Sequence, residues 1–155
     1  DVLTQCGISH PFILLLPGTS RAHTEKRWPY YAELALRLKK SGHQVAWAPG
    51  PDERELISTF PATCLLDHGR VLRLEQLASL AAHTKCVIGN DSGPTHLLSR
   101  CNTRGVAIFN NPRYRDSTAI GQYYRTLCRP NLADLSVDKV MAQVNSTLCD
   151  ETASA

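Results

Sequence analysis

At 155 residues, with 43% hydrophobic and 20% charged side chains, the chain is long enough to bury the core of one ordinary soluble domain. A net charge of +3 is too small to argue for a nucleic-acid partner, and no run approaches the roughly 20 apolar residues that a membrane-crossing helix requires. Cysteines at 6, 64, 86, 101, 128 and 149 form no CxxC pair, and no His or Cys spacing fits zinc, so reduced thiols and a cytosolic compartment are expected.

Residues 1–11 read as a lead-in without periodicity. No signal peptide is visible, and a start at Asp1 rather than Met suggests a piece of something longer. Phe12 to Leu16 is a continuous apolar run, as in a strand covered on both faces. A polar loop follows from Pro17 to Arg27. Trp28-Pro29 then opens a helix with Tyr31, Leu34, Ala35 and Leu38 at helical spacing and Gly42 past its end.

Gln44 to Ala48 is the second strand. Pro49-Gly50-Pro51-Asp52-Glu53 turns into a helix through about Thr59, and Thr63 to Leu66 is a short third strand. Asp67 to Arg73 reads as loop. Leu74 to Thr84 reads as an amphipathic helix with Leu74, Leu77, Ala78, Ala81 and Ala82 on one side. Val87-Ile88 is strand four, Pro94 to Arg100 a helix, and Val106 to Phe109 strand five. Asn110 to Gln122 reads as an irregular loop, Tyr124 to Cys128 as a sixth strand or merely extended chain, and Ser136 as the N-cap of a helix over 137–148. The tail, 150–155, is expected to fray.

Strands alternating with helices at short spacing predict a doubly wound, Rossmann-like parallel α/β sheet. In the order 3-2-1-4-5-6, strands one and four are neighbours, and a ligand crevice opens at their carboxyl ends. Two loops converge there. The first supplies the bare backbone of Gly18, hydroxyls from Thr19 and Ser20, and the ammonium of Lys26, a set that suits a diphosphate. The second is Gly89-Asn90-Asp91-Ser92-Gly93-Pro94-Thr95-His96, read as strand, tight turn and helix start. Backbone N–H groups there favour an anion, Asp91 and Ser92 cap, Gly93 allows close approach, and His96 lies one turn in. Glu53, after strand two, is placed to accept from ribose hydroxyls, and Leu72 to wall a base pocket.

Each assignment has a plainer alternative. Lys26 and Arg27 could be a solvated helix start, Glu53 a compensating helix-start charge, Leu72 core, His96 a satisfied histidine, and Asp91 to His96 a capped helix without a ligand. Neither GxxxxGK[ST] nor GxGxxG is present, and no nucleophile elbow surrounds Ser92. Arg113 and Arg115 stay unassigned.

The segments Pro17-Gly18-Thr19-Ser20, Lys26-Arg27-Trp28-Pro29, Gly50-Pro51-Asp52-Glu53, Leu74-Glu75-Gln76-Leu77-Ala78 and Gly89 to His96, in this order and spacing, resemble the C-terminal domain of the ADP-heptose:lipopolysaccharide heptosyltransferases, glycosyltransferase family 9. The resemblance covers about residues 12–148. It implies the C-terminal half of a GT-B enzyme: 1–11 leading in from a missing N-terminal domain, 12–149 the nucleotide-sugar-binding Rossmann-like domain, 150–155 a tail. It implies inverting transfer of heptose from ADP-heptose to the lipopolysaccharide inner core, with the acceptor bound by the missing domain.

By motif position the resemblance makes Thr19, Ser20 and Lys26 phosphate-side contacts, Glu53 a ribose contact, and Leu72 the neighbour of the adenine. Asp91, Ser92, Gly93 and His96 become diphosphate and sugar contacts. It implies no metal or other cofactor, no catalytic residue in this stretch, and no transfer by this stretch alone, because the family's catalytic Asp lies near its N-terminus. It also implies a cytoplasmic enzyme, peripheral at the inner face of the inner membrane when full length. Asn110, where the family usually has Gly, and Asn102-Thr103-Arg104-Gly105 depart from the pattern. The competing readings are a non-catalytic nucleotide or sugar-nucleotide-binding module, and half of a GT-B-type sugar-nucleotide epimerase.

Overall fold

The computed structural model describes residues 1–9, 11–19, 21–117 and 120–149; Ser20 and the tail lie outside them. Six parallel strands form one sheet: β1 (Phe12–Leu16), β2 (Val45–Trp47), β3 (Thr63–Cys64), β6 (Thr84–Asn90), β7 (Gly105–Phe109) and β8 (Tyr124–Cys128). Their spatial order is β3-β2-β1-β6-β7-β8, the expected doubly wound order. A two-stranded antiparallel hairpin, β4 (Leu66–Asp67) with β5 (Arg70–Val71), stands apart. The helices are α1 (Val2–Gln5), α2 (Tyr31–Lys40), α3 (Leu74–Leu80), α4 (Gly93–Ser99), α5 (Pro112–Ser117) and α6 (Val137–Leu148).

The two-residue period of a strand divides the core. Ile13 and Leu15 of β1 join Trp28, Leu34 and Leu38 around α2, and Val140 and Val144 of α6, on one face. Phe12, Leu14 and Leu16 pack with Leu77 and Leu80 of α3 and Leu98 of α4 on the other. A strand buried on both faces has no polar position to spare, which is why β1 is apolar at every residue. At the centre, β1 pairs with β6 from Phe12 opposite Thr84 to Leu16 opposite Gly89. A Cβ on Gly89 would lie 2.1 Å from Thr95 Oγ1, so the missing side chain lets α4 close onto the strand end.

The structure differs from expectation in several places. The lead-in holds α1, with Asp1 Oδ1 accepting from Leu3 N–H, and buries Leu3 and Ile8. The stretch after β2 is a short 3-10 turn, Pro51–Leu56, rather than a helix to Thr59. The 67–73 stretch is not simply loop: His68 (φ 48°) and Gly69 (φ 80°) turn the β4–β5 hairpin, as a two-residue hairpin loop demands. Leu74 is 54% exposed because it stands at the start of α3, while Leu77 and Leu80 face inward. The 110–122 stretch contains α5, started by the Asn111 side chain accepting from Arg113 N–H. The last helix is capped as expected, Ser136 Oγ accepting from Lys139 N–H.

Candidate functional site

A cavity of about 710 Å³ opens at the carboxyl ends of β1, β2 and β6. Thr19, Lys26, Glu53, Leu72, Asp91, Ser92, Gly93 and His96 all line it. Every described residue singled out from the sequence therefore meets in one place; Ser20 lies outside the described residues. The volume is that of an ordinary small-molecule site.

One end of the cavity is cationic and hydrogen-bonding. The Lys26 ammonium lies 3.2 Å from Asp91 Oδ2 and 4.7 Å from the centre of the Tyr114 ring. Asp91 Oδ1 lies 2.7 Å from His96 Nε2. A carboxylate only accepts, so Nε2 carries the proton; Nδ1 is buried and has no partner among the described residues. Asp91 thus holds two side chains at once and is itself one-tenth exposed. Ser92 is the N-cap of α4, but its hydroxyl meets Thr95 Oγ1 at 3.1 Å instead of a backbone N–H. A side chain on Gly93 would meet nothing within 4 Å, so its backbone is open to the cavity. Thr19 is 7% exposed and its hydroxyl has no partner among the described residues.

The other end is apolar. Pro49, Pro51, Val71, Leu72, Leu74 and Leu77 wall it. Between the ends sits Glu53, 3% exposed. Its Oε1 accepts from Gly50 N–H at 2.8 Å, and its Oε2 lies 3.6 Å from Arg27 Nη2. A Cβ on Gly18 would fall 1.7 Å from Glu53 Oε1, so glycine there makes room for the carboxylate.

Several residues at or behind the cavity were given no contact of their own from the sequence. His23 and Asp52 line it; His23 sits in the 3-10 segment Arg21–Lys26, its Nδ1 3.4 Å from Glu25 Oε1. Asn90 is fully buried behind the site. Its Oδ1 accepts from Trp28 N–H and from the Tyr31 hydroxyl, each at 3.1 Å, and its Nδ2 donates to Pro17 C=O at 2.8 Å. Burial holds the Tyr31 phenol well above its ordinary range, which keeps it a donor. The one sequence signal for Asn90 is an amide at the end of an otherwise apolar strand. Arg113 and Arg115 do not line the cavity. Among the described residues no group of His, Cys, Asp and Glu is arranged to hold a metal ion, and no helix is long and apolar enough to cross a membrane.

The model for glycosyltransferase family 9 (heptosyltransferase) matches residues 2–144. Lipopolysaccharide heptosyltransferase 2 of Salmonella typhimurium is 33% identical, covering 64% of this chain and 31% of that protein. The structure of Escherichia coli ADP-heptose lipopolysaccharide heptosyltransferase II superposes with a TM-score of 0.81 at 26% identity, covering 97% of this chain and 51% of that one. E. coli heptosyltransferase WaaC with ADP shares the fold, with a TM-score of 0.73 at 21% identity, 89% of this chain and 44% of that one. The chain thus spans between about a third and a half of the length of these relatives.

Proposed function

The chain belongs to glycosyltransferase family 9, the heptosyltransferases, and we propose that it forms the half of such an enzyme that holds the nucleotide-sugar donor, ADP-heptose. The observation that carries this reading is the polarity of the cavity: an apolar wall at one end, a buried carboxylate midway, and an ammonium with hydrogen-bond donors at the other. That sequence of surfaces matches base, ribose and diphosphate in turn. The relatives include a heptosyltransferase bound to ADP.

In this reading Leu72, with Val71 and Leu77, flanks the adenine. Glu53 accepts from the ribose hydroxyls. Thr19, Lys26, Ser92, the open Gly93 backbone and His96 face the diphosphate and sugar. Asp91 acts mainly through its neighbours: it neutralises part of the charge of Lys26, fixes the ammonium in place and sets the His96 ring. An acceptor hydroxyl on the lipopolysaccharide inner core attacks the anomeric carbon from the side opposite the diphosphate. The new C–O bond forms as the bond to the diphosphate breaks, the anomeric centre inverts and ADP leaves. Lys26 contributes by meeting charge that builds on the leaving oxygen. The acceptor's proton goes to a base outside these residues, so this chain alone binds donor without transferring sugar. A nucleotide-sugar donor places the reaction in the cytoplasm, with the full-length protein peripheral at the inner face of the inner membrane.

Calorimetry with ADP, UDP and GDP tests the reading. ADP should bind selectively, and Lys26→Ala should weaken it by about tenfold or more, the worth of a charge-assisted hydrogen bond. Equal affinity for UDP would move the donor to another base. Absence of nucleotide binding, in this chain and in the full-length protein alike, would remove the reading altogether.

A further inference from the structure

The two consecutive basic residues Lys26 and Arg27 point to different tasks. Lys26 lines the cavity and pairs with Asp91. Arg27 does not line it. Its guanidinium sits behind the wall, with Nη2 3.4 Å from Thr19 C=O and 3.6 Å from Glu53 Oε2. It therefore touches both the loop after β1 and the loop after β2, each of which contributes a cavity residue. Its side chain is about three-quarters buried, and its Nε has no partner among the described residues.

Glu53 needs such a neighbour. Its side chain is 4% exposed, and a buried carboxylate without a counter-charge is strongly unfavourable. The backbone contributes one N–H, from Gly50 to Oε1. That bond, together with the space left by Gly18, fixes one oxygen. Among the described residues the second oxygen is oriented by Arg27, and this second oxygen is what remains to accept from a ligand.

We propose that Arg27 is a positioning residue: from behind the cavity it holds the Glu53 carboxylate turned so that the site selects nucleotides carrying ribose hydroxyls. The inference rests on the donor-site reading above and adds to it the device that sets sugar selectivity on the nucleoside side. Both contacts are made by Nη2; a lysine at 27 would retain the charge but not the rigid guanidinium plane that fixes this nitrogen between Thr19 C=O and Glu53 Oε2.

The test compares affinities for ADP and 2′,3′-dideoxy-ADP in the wild type, Arg27→Met, Arg27→Lys, Glu53→Ala and the Arg27→Met/Glu53→Ala double variant, each first checked for an intact thermal transition. The wild type should prefer ADP by about tenfold or more, as expected for hydrogen bonds to a charged acceptor. Arg27→Met should lower that ratio most of the way to the Glu53→Ala value, Arg27→Lys should restore part of it, and the double variant should be no worse than Glu53→Ala, because the two residues act as one unit. A merely structural role for Arg27 would weaken both nucleotides equally and leave the ratio unchanged; that outcome overturns the inference while leaving the donor site standing. A wild type that binds ADP without preferring it overturns the role of Glu53 and this inference with it. A wild type that binds neither nucleotide removes the donor-site reading itself.

Discussion

Asn90 fastens two separate pieces of chain with one amide: the entry to α2, through Trp28 N–H just before it and the Tyr31 hydroxyl in its first turn, and the loop after β1 through Pro17 C=O. Asn90→Ala would leave two buried donors and one buried acceptor unpaired. We expect a loss of about 3 kcal/mol or more of unfolding free energy, read as a lower urea midpoint at unchanged slope. Nucleotide affinity should fall with it, because the same amide seats the segment that carries Lys26. At this scale much of the cavity lining was legible. Thr19, Lys26, Glu53, Leu72 and the Asp91–His96 turn were found because each lies just past a strand or at a helix start, where the topology collects ligand contacts. The partnerships were not legible. That Asp91 serves Lys26 and His96, that Ser92 turns to Thr95, and that Arg27 stands behind Glu53 depend on directions across the fold, which spacing along the chain does not encode.

Among the elements, β6 is the central one, paired with β1 on one side and β7 on the other. Cys86 lies in it with no exposure, and burial pushes its thiol up to about 12. Cys149, at the end of α6, is exposed. A disulfide reagent at pH 8 should therefore modify Cys149 at once and Cys86 only as fast as the sheet opens. The sign of the pH effect follows. Between the ordinary thiol range and about pH 12 the folded chain keeps a proton that the unfolded chain loses, so Cys86 contributes stability that fades as pH rises through that window. Cys86→Ala should flatten this alkaline decline in a denaturation series. Long apolar runs announced the sheet strands because burial on both faces forces that composition. The β4–β5 hairpin was hidden because arms of two residues are too short to show a period, and α5 because Pro112-Arg113-Tyr114-Arg115 has no apolar stripe.

For the molecule as a whole, the strand order was legible because alternation of strands and helices leaves few topologies open. What spacing could not convey is how far the cavity reaches beyond the predicted crevice to include the hairpin and the first turn of α3. The cavity is assembled from segments 16–26, 48–53, 71–77 and 91–96, and the bond from Asn90 to Pro17 closes 73 residues of chain. Contacts that distant are slow to form, since loop closure precedes their reward. A ligand that needs all four segments finds nothing to hold until folding is essentially complete. ADP should therefore act on the lifetime of the native state and not on its rate of formation. At a hundredfold excess over the dissociation constant, denaturant-jump experiments should show unfolding slowed by about a hundredfold, with refolding at its unliganded rate. A refolding rate raised by ADP would mean that part of the site is already built at the transition state.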